Sequence, residues 1–500
     1  MTYTTQLRSA ACIAALVVGG AANADVTAAQ VWEDWKAQLN MYGESNVTVG
    51  TEEASGDTLV VRDITTTMDD GEVKVVTSLG DLTFTEQGDG SVVVTMAESY
   101  PIVMTVEDDV VITVLVSQSD LEMVVTGDEN IKNYDISSDQ VTIELQDIVD
   151  GDITFTGDVK LTANDLAGTY SSEVGDLREL TYDLAMSSLD LIVDIEVPGD
   201  AGEYVVASGK IEGMSMQADM SIPLDADFEN PDNLFVDGFA AAGGYEIERG
   251  NYVFDINADG DQLAGSVSTG TAKLTGEVNG QTIAYDTETN DVAINVTSGD
   301  FPFPVELALA QYGVGFAMPV GKTEEPADFG LSVDFIDLTI NDMIWNMFDP
   351  GTVLPRDPAT VQLDVSGKAK PLYDMFDPAQ ADAMASSDMP VELDSLTLNN
   401  LRVALAGALV TGSGAFTFDN SDLATFDGMP RPEGDATVEV TGLNKLMDNL
   451  VAMGLVPEDQ IMGGRMMLGM FARTTGDDQL ETTLEVNGEG HVLVNGQRMR

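Results

Sequence analysis

The chain has 500 residues, of which 44% are apolar, and 86 acidic against 21 basic side chains give it a formal charge of −65. That balance excludes nucleic acid, whose phosphates need clustered Lys and Arg, and it repels anionic headgroups. The apolar share excludes a disordered polyanion, while one cysteine and one histidine exclude a disulfide framework and a zinc site of several Cys and His ligands.

Arg8, the apolar small-residue run from Ala10 to Ala22 and the triplet Ala22-Asn23-Ala24 form the pattern of a secretory signal. It predicts cleavage between Ala24 and Asp25, and a periplasmic or secreted location. Cys12 leaves with the signal, and its flank Ser9-Ala10-Ala11 lacks the leucine of a lipidation motif. Loss of Arg8 takes the formal charge from −65 to −66. No later segment has the 18 or more uninterrupted apolar residues of a spanning helix, so no transmembrane segment is expected.

Thr27 and Gln30 have the spacing of a capping box. Trp32, Trp35, Leu39 and Tyr42 then recur every three or four residues up to Gly43, which predicts an amphipathic helix stopped by that glycine. From about Val47 to Asp342 the chain alternates β-branched runs with turn signals such as Asp89-Gly90 and Gly127-Asp128, the pattern of antiparallel hairpins. Seams are expected near Asn230-Pro231 and at the proline-rich loop from Phe348 to Pro358. They divide the chain into residues 25–228 (helix plus antiparallel β domain), 229–345 (second β domain) and 346–500 (α+β module). In that module two strands are expected within Arg402–Phe418, helices over Gly442–Met453 and Glu458–Ala472, and a closing hairpin around Asn487-Gly488. The fold class is mainly β, antiparallel, in elongated or curved sheets, with an N-terminal amphipathic helix and a C-terminal α+β module.

Chemistry is tested mostly by absence. There is no G-x-S-x-G elbow to pair with His491, no phosphate loop and no βαβ context for a dinucleotide. Asp255-x-Asn257-x-Asp259-Gly260 matches the first half of a calcium loop, but position twelve is Ser266 and strands flank it. A hairpin turn is the first reading and a calcium site on Asp255, Asn257 and Asp259 the second. Met462, Met466, Met467 and Met470 read first as apolar packing in a core or groove, and second as thioethers for Cu(I).

Three stretches carry a resemblance: Val26-Thr27-Ala28-Ala29-Gln30-Val31-Trp32-x-x-Trp35, Trp345-x-x-Phe348-Asp349-Pro350 through Leu354-Pro355-Arg356-Asp357-Pro358-Ala359-Thr360, and Gly490-His491-x-x-x-Asn495-Gly496. Together they resemble an uncharacterised family of exported alphaproteobacterial proteins, the domain-of-unknown-function family numbered 2125, which implies no activity or ligand. More remotely the chain is similar to AsmA-like envelope proteins, and that likeness implies curved sheets with an apolar inner face. The expectation is a non-catalytic envelope protein that binds lipid or an apolar envelope-protein client on a sheet face, with Trp32, Trp35 and Trp345 as anchors and no cofactor. A calcium-responsive acidic surface or adhesion protein is the alternative, and a carboxylate-based hydrolase comes third.

Overall fold

The computed structural model describes residues 25–39, 47–69, 73–106, 110–150, 153–155, 157–196, 202–226, 228, 233–258, 260–387 and 389–500. The expected signal, Tyr42 with the Gly43 stop, and Asp259 lie outside them. Helix α1 (Ala28–Leu39) starts at the capping box: Thr27 N–H donates to Gln30 Oε1 at 2.9 Å, and Gln30 N–H to Thr27 Oγ1 at 3.3 Å.

The strands follow in chain order. They are β1 (Val47–Thr48), β2 (Thr51–Ser55), β3 (Thr58–Asp69), β4 (Val73–Glu86), β5 (Val92–Met96), β6 (Ser99–Val106), β7 (Val110–Ser119), β8 (Glu122–Gly127), β9 (Ile131–Asp150) and β10 (Ile153–Phe155). Next come β11 (Gly157–Val174), β12 (Leu177–Glu196), β13 (Tyr204–Pro223), β14 (Ala240–Ile247), β15 (Arg249–Ala258), β16 (Asp261–Thr269), β17 (Ala272–Val278), β18 (Thr282–Ser298), β19 (Val305–Pro319) and β20 (Ala327–Ile340). Helix α2 (Asp342–Phe348) leads to β21 (Ala359–Pro371), α3 (Ala381–Ala385), β22 (Val391–Leu405), β23 (Ala408–Asp419) and β24 (Arg431–Thr441). Helices α4 (Leu443–Ala452) and α5 (Glu458–Phe471) precede β25 (Arg473–Gly476), β26 (Gln479–Val486), β27 (Val492–Val494) and β28 (Gln497–Arg498).

All of these strands join one antiparallel sheet. Some are two halves of one long strand. β5 and β6 pair with opposite ends of β4, and β8 and β7 with opposite ends of β9. In the same way β14 and β15 share β13, and β17 and β16 share β18. Counted so, the chain is a single meander in which neighbours in sequence are neighbours in space. Both expected seams are connections inside it: β13 pairs with β14 and β15 across 228/229, and β20 with β21 across 345/346. The C-terminal strands extend the same sheet, because nothing in their pattern closes the edge at β20.

One line of irregular residues crosses the meander. Asp63, Gly80, Asp120, Asp165, Gly213, Asp291 and Asp337 each sit mid-strand or at a strand break with φ between 51° and 71°. From β9 to β20 register does not change across it: Asn164 faces Ser188 on one side and Ala167 faces Ala185 on the other. Each left-handed residue instead resets the two-residue alternation by one. Val61 and Ile64, odd and even, flank Asp63 and are both fully buried in one core, and Leu79 and Leu82 flank Gly80 and pack into it too. Asp and Gly are the residues that visit this region at least cost.

The core lies at the N-terminal end of the sheet, mostly on one side of this crease and crossing it at Ile64 and Leu79. There α1 presses Val31 and Trp32 onto Leu59, Val61, Leu82 and Phe84. The rings of Trp32 and Trp35 lie 6.0 and 5.6 Å from Phe84.

Candidate functional site

On the side of the crease away from α1, direct cross-strand partners form one continuous apolar row. It runs Val116, Ile143, Leu161, Leu191, Gly209, Tyr252, Val267, Ile294, Leu307, Ile340, through ten strands from β7 to β20. At about 4.8 Å per strand the row is roughly 43 Å long. A second row beside it runs Val159, Val193, Ala207, Phe254, Gly265, Val296, Val305. Apart from Val116 the first row is half-buried, and Ile143 is 43% exposed. Gly209 has a packing reason: a Cβ there would meet the Tyr252 ring at 2.5 Å.

The opposite face is mostly polar, although Ile192, Val206 and Val253 are exposed on it. Its matching row is Ser117, Thr142, Thr162, Asp190, Lys210, Asn251, Ser268, Ala293, Ala308, Thr339. Lys210 and Asp190 form an ion pair there at 3.6 Å.

The crease keeps the apolar face on one side of the sheet. In β12 the apolar residues are Leu180, Tyr182, Leu184 and Met186, and beyond Ser187 they become Leu189, Leu191, Val193 and Ile195. Across the crease Tyr252 has Tyr245 as a charge neighbour: burial first, then Tyr245, pushes the Tyr252 phenol up. The α1-side row continues through Tyr134, Tyr170, Tyr182, Ala218, Gly243, Gly276, Tyr285, Phe316 and Leu331. Tyr134 is closed off under α1, whereas Phe316 and Leu331 are exposed. On the α1 side of the crease a trough of about 1310 Å³ includes Gln217, Glu246, Glu277, Asp286 and Asp364, residues that share the polar face.

Trp32 and Trp35 hold the helix rather than an open surface. Trp32 is 1% exposed and its indole N–H donates to Glu52 at 2.9 Å, which holds that carboxyl below its usual range. Trp35 donates to the Tyr134 hydroxyl at 3.1 Å, and Tyr170 donates to Gln38 at 2.6 Å. Burial pushes both phenols up, with Asp34 adding. The expected anchor role of these two tryptophans is therefore corrected: the faces that would meet a ligand are spent on core packing.

Trp345 lies elsewhere, half-buried in an elbow between β20 and β21. Arg356 stacks 5.8 Å from its ring, pairs with Asp342 at 2.5 Å and donates to Asn346 at 2.7 Å. Asp349 is buried and accepts the backbone N–H groups of Val353 and Leu354, both at 2.9 Å. Burial alone would raise its pKa, but those two bonds and Arg356 hold it below the usual carboxylate range.

Asp255 and Asn257 lie on β15 and are engaged across strands. Asp255 accepts from Tyr204 at 3.0 Å and from Gln262 at 3.2 Å, and Asn257 donates to the Gly202 carbonyl at 2.7 Å. Ala258 pairs with Asp261, so the segment turns as a hairpin. Among the described residues no group of three or more His, Cys, Asp or Glu side chains is placed to hold a metal ion. The methionine-rich α5 departs from the expected packing: Met462, Met466, Met467 and Met470 are all exposed.

Sequence reasoning missed the apolar rows. Their signal was present as a one-residue shift in apolar parity around an Asp or Gly, as in Leu161-x-Ala163-x-Asp165-Leu166-x-Gly168-x-Tyr170.

No curated protein and no solved structure matches the chain. A family model described as an uncharacterized protein conserved in bacteria (DUF2125) matches residues 207–496. That span holds the crease from Gly213 to Asp337, the Trp345 elbow and the closing Gly490–Gly496 stretch, and it leaves out α1. With more than half of its length matched, the chain belongs to this family.

Proposed function

We propose that the protein is a non-catalytic, exported binder of acyl chains, which lie along the apolar face of the sheet. The observation that carries this reading is the Val116-to-Ile340 row, apolar over ten strands and only half-covered. Its strands are already paired on both sides, so the face offers no free N–H or C=O ladder to a peptide. An acyl chain needs none. It gains about 25 cal/mol per Å² of apolar surface removed from water, before the costs of binding. At roughly 43 Å the row exceeds the ~30 Å hydrocarbon thickness of a bilayer, so it accommodates a whole chain. The reverse face, with the Asp190–Lys210 pair, is the more polar of the two and favours binding on the other side. The Ala10–Ala24 pattern and the acidic surface support an extracytoplasmic setting.

Native mass spectrometry after gentle extraction, followed by titration with a fluorescent fatty acid, tests the reading. Co-purified lipid and saturable binding are expected, with affinity at least tenfold weaker in Leu191→Glu/Ile294→Glu. Absence of both lipid and saturable binding overturns it, as does a folded double variant that binds like the wild type.

A further inference from the structure

Helix α5 has one face that no other described residue covers. Its inner side, Ile461, Arg465 and Leu468, is half-buried, and Arg465 ties it to α4 through the Asn444 carbonyl at 3.0 Å and Asp448 at 2.7 Å. Its outer side carries Met462, Met466, Met467 and Met470, each 59–69% exposed, and Phe471 at 42%. Spacings of four residues put these on one broad stripe with Gly463 and Gly469. Between Gln460 and Arg473 the only charged residue is Arg465, on the inner side, although 21% of the chain is charged.

We propose that this face docks on a lipid bilayer of low net charge, the source from which the apolar sheet face is loaded. A second copy fits poorly, since both copies carry the same formal −65 and a 14-residue helix, about 21 Å long, falls well short of the ~800 Å² per partner of a stable interface. Methionine and phenylalanine enter an interface of no fixed shape readily, because thioether chains adapt to what they meet. Lys and Arg are missing from the stripe, and Glu458 and Asp459 open the helix, so anionic headgroups are disfavoured and zwitterionic ones are the match.

A chain of contacts links the helix to the end of the apolar row. Ile340 closes the row, and the next residue, Asn341, caps α2 and donates to the Pro304 carbonyl at 2.6 Å. The elbow beyond α2 meets α4 where Asn449 donates to the Val353 carbonyl at 3.4 Å, and α4 carries α5. The loading role rests on the acyl-chain reading; the docking does not.

Flotation of the full chain with phosphatidylcholine vesicles is the test, beside vesicles containing one-third phosphatidylglycerol and beside Met466→Glu/Met470→Glu. The wild type is expected to float with phosphatidylcholine, less with phosphatidylglycerol, and the variant at least tenfold less, while its vesicle-free fatty-acid binding is unchanged. A wild type that stays unbound, or a variant that floats equally, overturns the proposal. So does light scattering that shows a wild-type dimer dissolved by the variant, which would give the face to a second copy. Flotation without fatty-acid binding supports docking and removes only the acyl-chain reading.

Discussion

Arg178 on β12 donates to Asp34 on α1 at 2.7 Å, a buried ion pair that joins residues 144 apart in the chain. The same guanidinium donates to Ser172 at 2.9 Å, so one cation fixes the helix to two strands. Asp34→Ala leaves Arg178 buried without its anion and is expected to destabilise the fold by about 3–5 kcal/mol. Asp34→Leu with Arg178→Met fills the same space without charge and is expected to cost less than either single change. Urea unfolding followed by tryptophan fluorescence measures all of these, and equal midpoints for wild type and Asp34→Ala would refute the role.

The crease is built on left-handed backbone, to which some of its residues add side-chain bonds, as Asp165 does in accepting from Ser187 at 2.7 Å. Asp291, at φ 52°, is exposed, which isolates the backbone effect. Asp291→Gly is expected to stay within about 0.5 kcal/mol of the wild type. Asp291→Val forces a β-branched residue into that region and is expected to cost about 1–3 kcal/mol. A valine variant as stable as the glycine one in urea would show that the strand passes the crease without this conformation.

Acid should uncouple the turn that follows β23. The Ser421 hydroxyl first, then Arg431 and the Ser421 N–H, hold the Asp419 carboxyl down to about 2, from an ordinary 3.8. A carboxylate with a depressed folded pKa stabilises the fold fully above its unfolded pKa and loses that contribution as pH falls through the folded one. The window here runs from about pH 4 down to about pH 2. The stability gap between wild type and Arg431→Ala is therefore expected to be constant near neutrality and to shrink across that window. A gap unchanged down to pH 2 would contradict it.

Tryptophan emission separates core from surface. Trp32 is buried and Trp35 partly so under α1, whereas Trp345 lies half-buried in the elbow. Trp345→Phe is expected to lower acrylamide quenching of the remaining emission. Fatty-acid titration is expected to leave the emission of that variant nearly unchanged, because neither remaining indole lies on the apolar rows. A large shift on binding would restore Trp32 or Trp35 as a ligand contact.

The legible parts of the fold are those set by neighbours in sequence. The Thr27/Gln30 capping box, the α4 and α5 helices and the Asn487-Gly488 turn all follow from spacings of two to four residues. Strand runs such as Val110–Val116 declare themselves through β-branched side chains. The tryptophan anchors and the methionine helix misled for one reason: an apolar periodicity says that a face seeks cover, and not which face receives it. Trp32 found Phe84 beneath it, while no described residue covers Met466.

By itself the sequence determined an acidic, antiparallel β chain with a capped first helix, because charge, alternation and caps are local quantities. Only the tertiary structure decided that its strands form one sheet without seams and that left-handed Asp and Gly residues align across it. The same holds for the rows that leave an apolar face half open. Cross-strand register is a relation between residues 13 to 43 positions apart along the apolar row, and a one-residue reset of alternation has meaning only once its neighbours make the same reset at the same line.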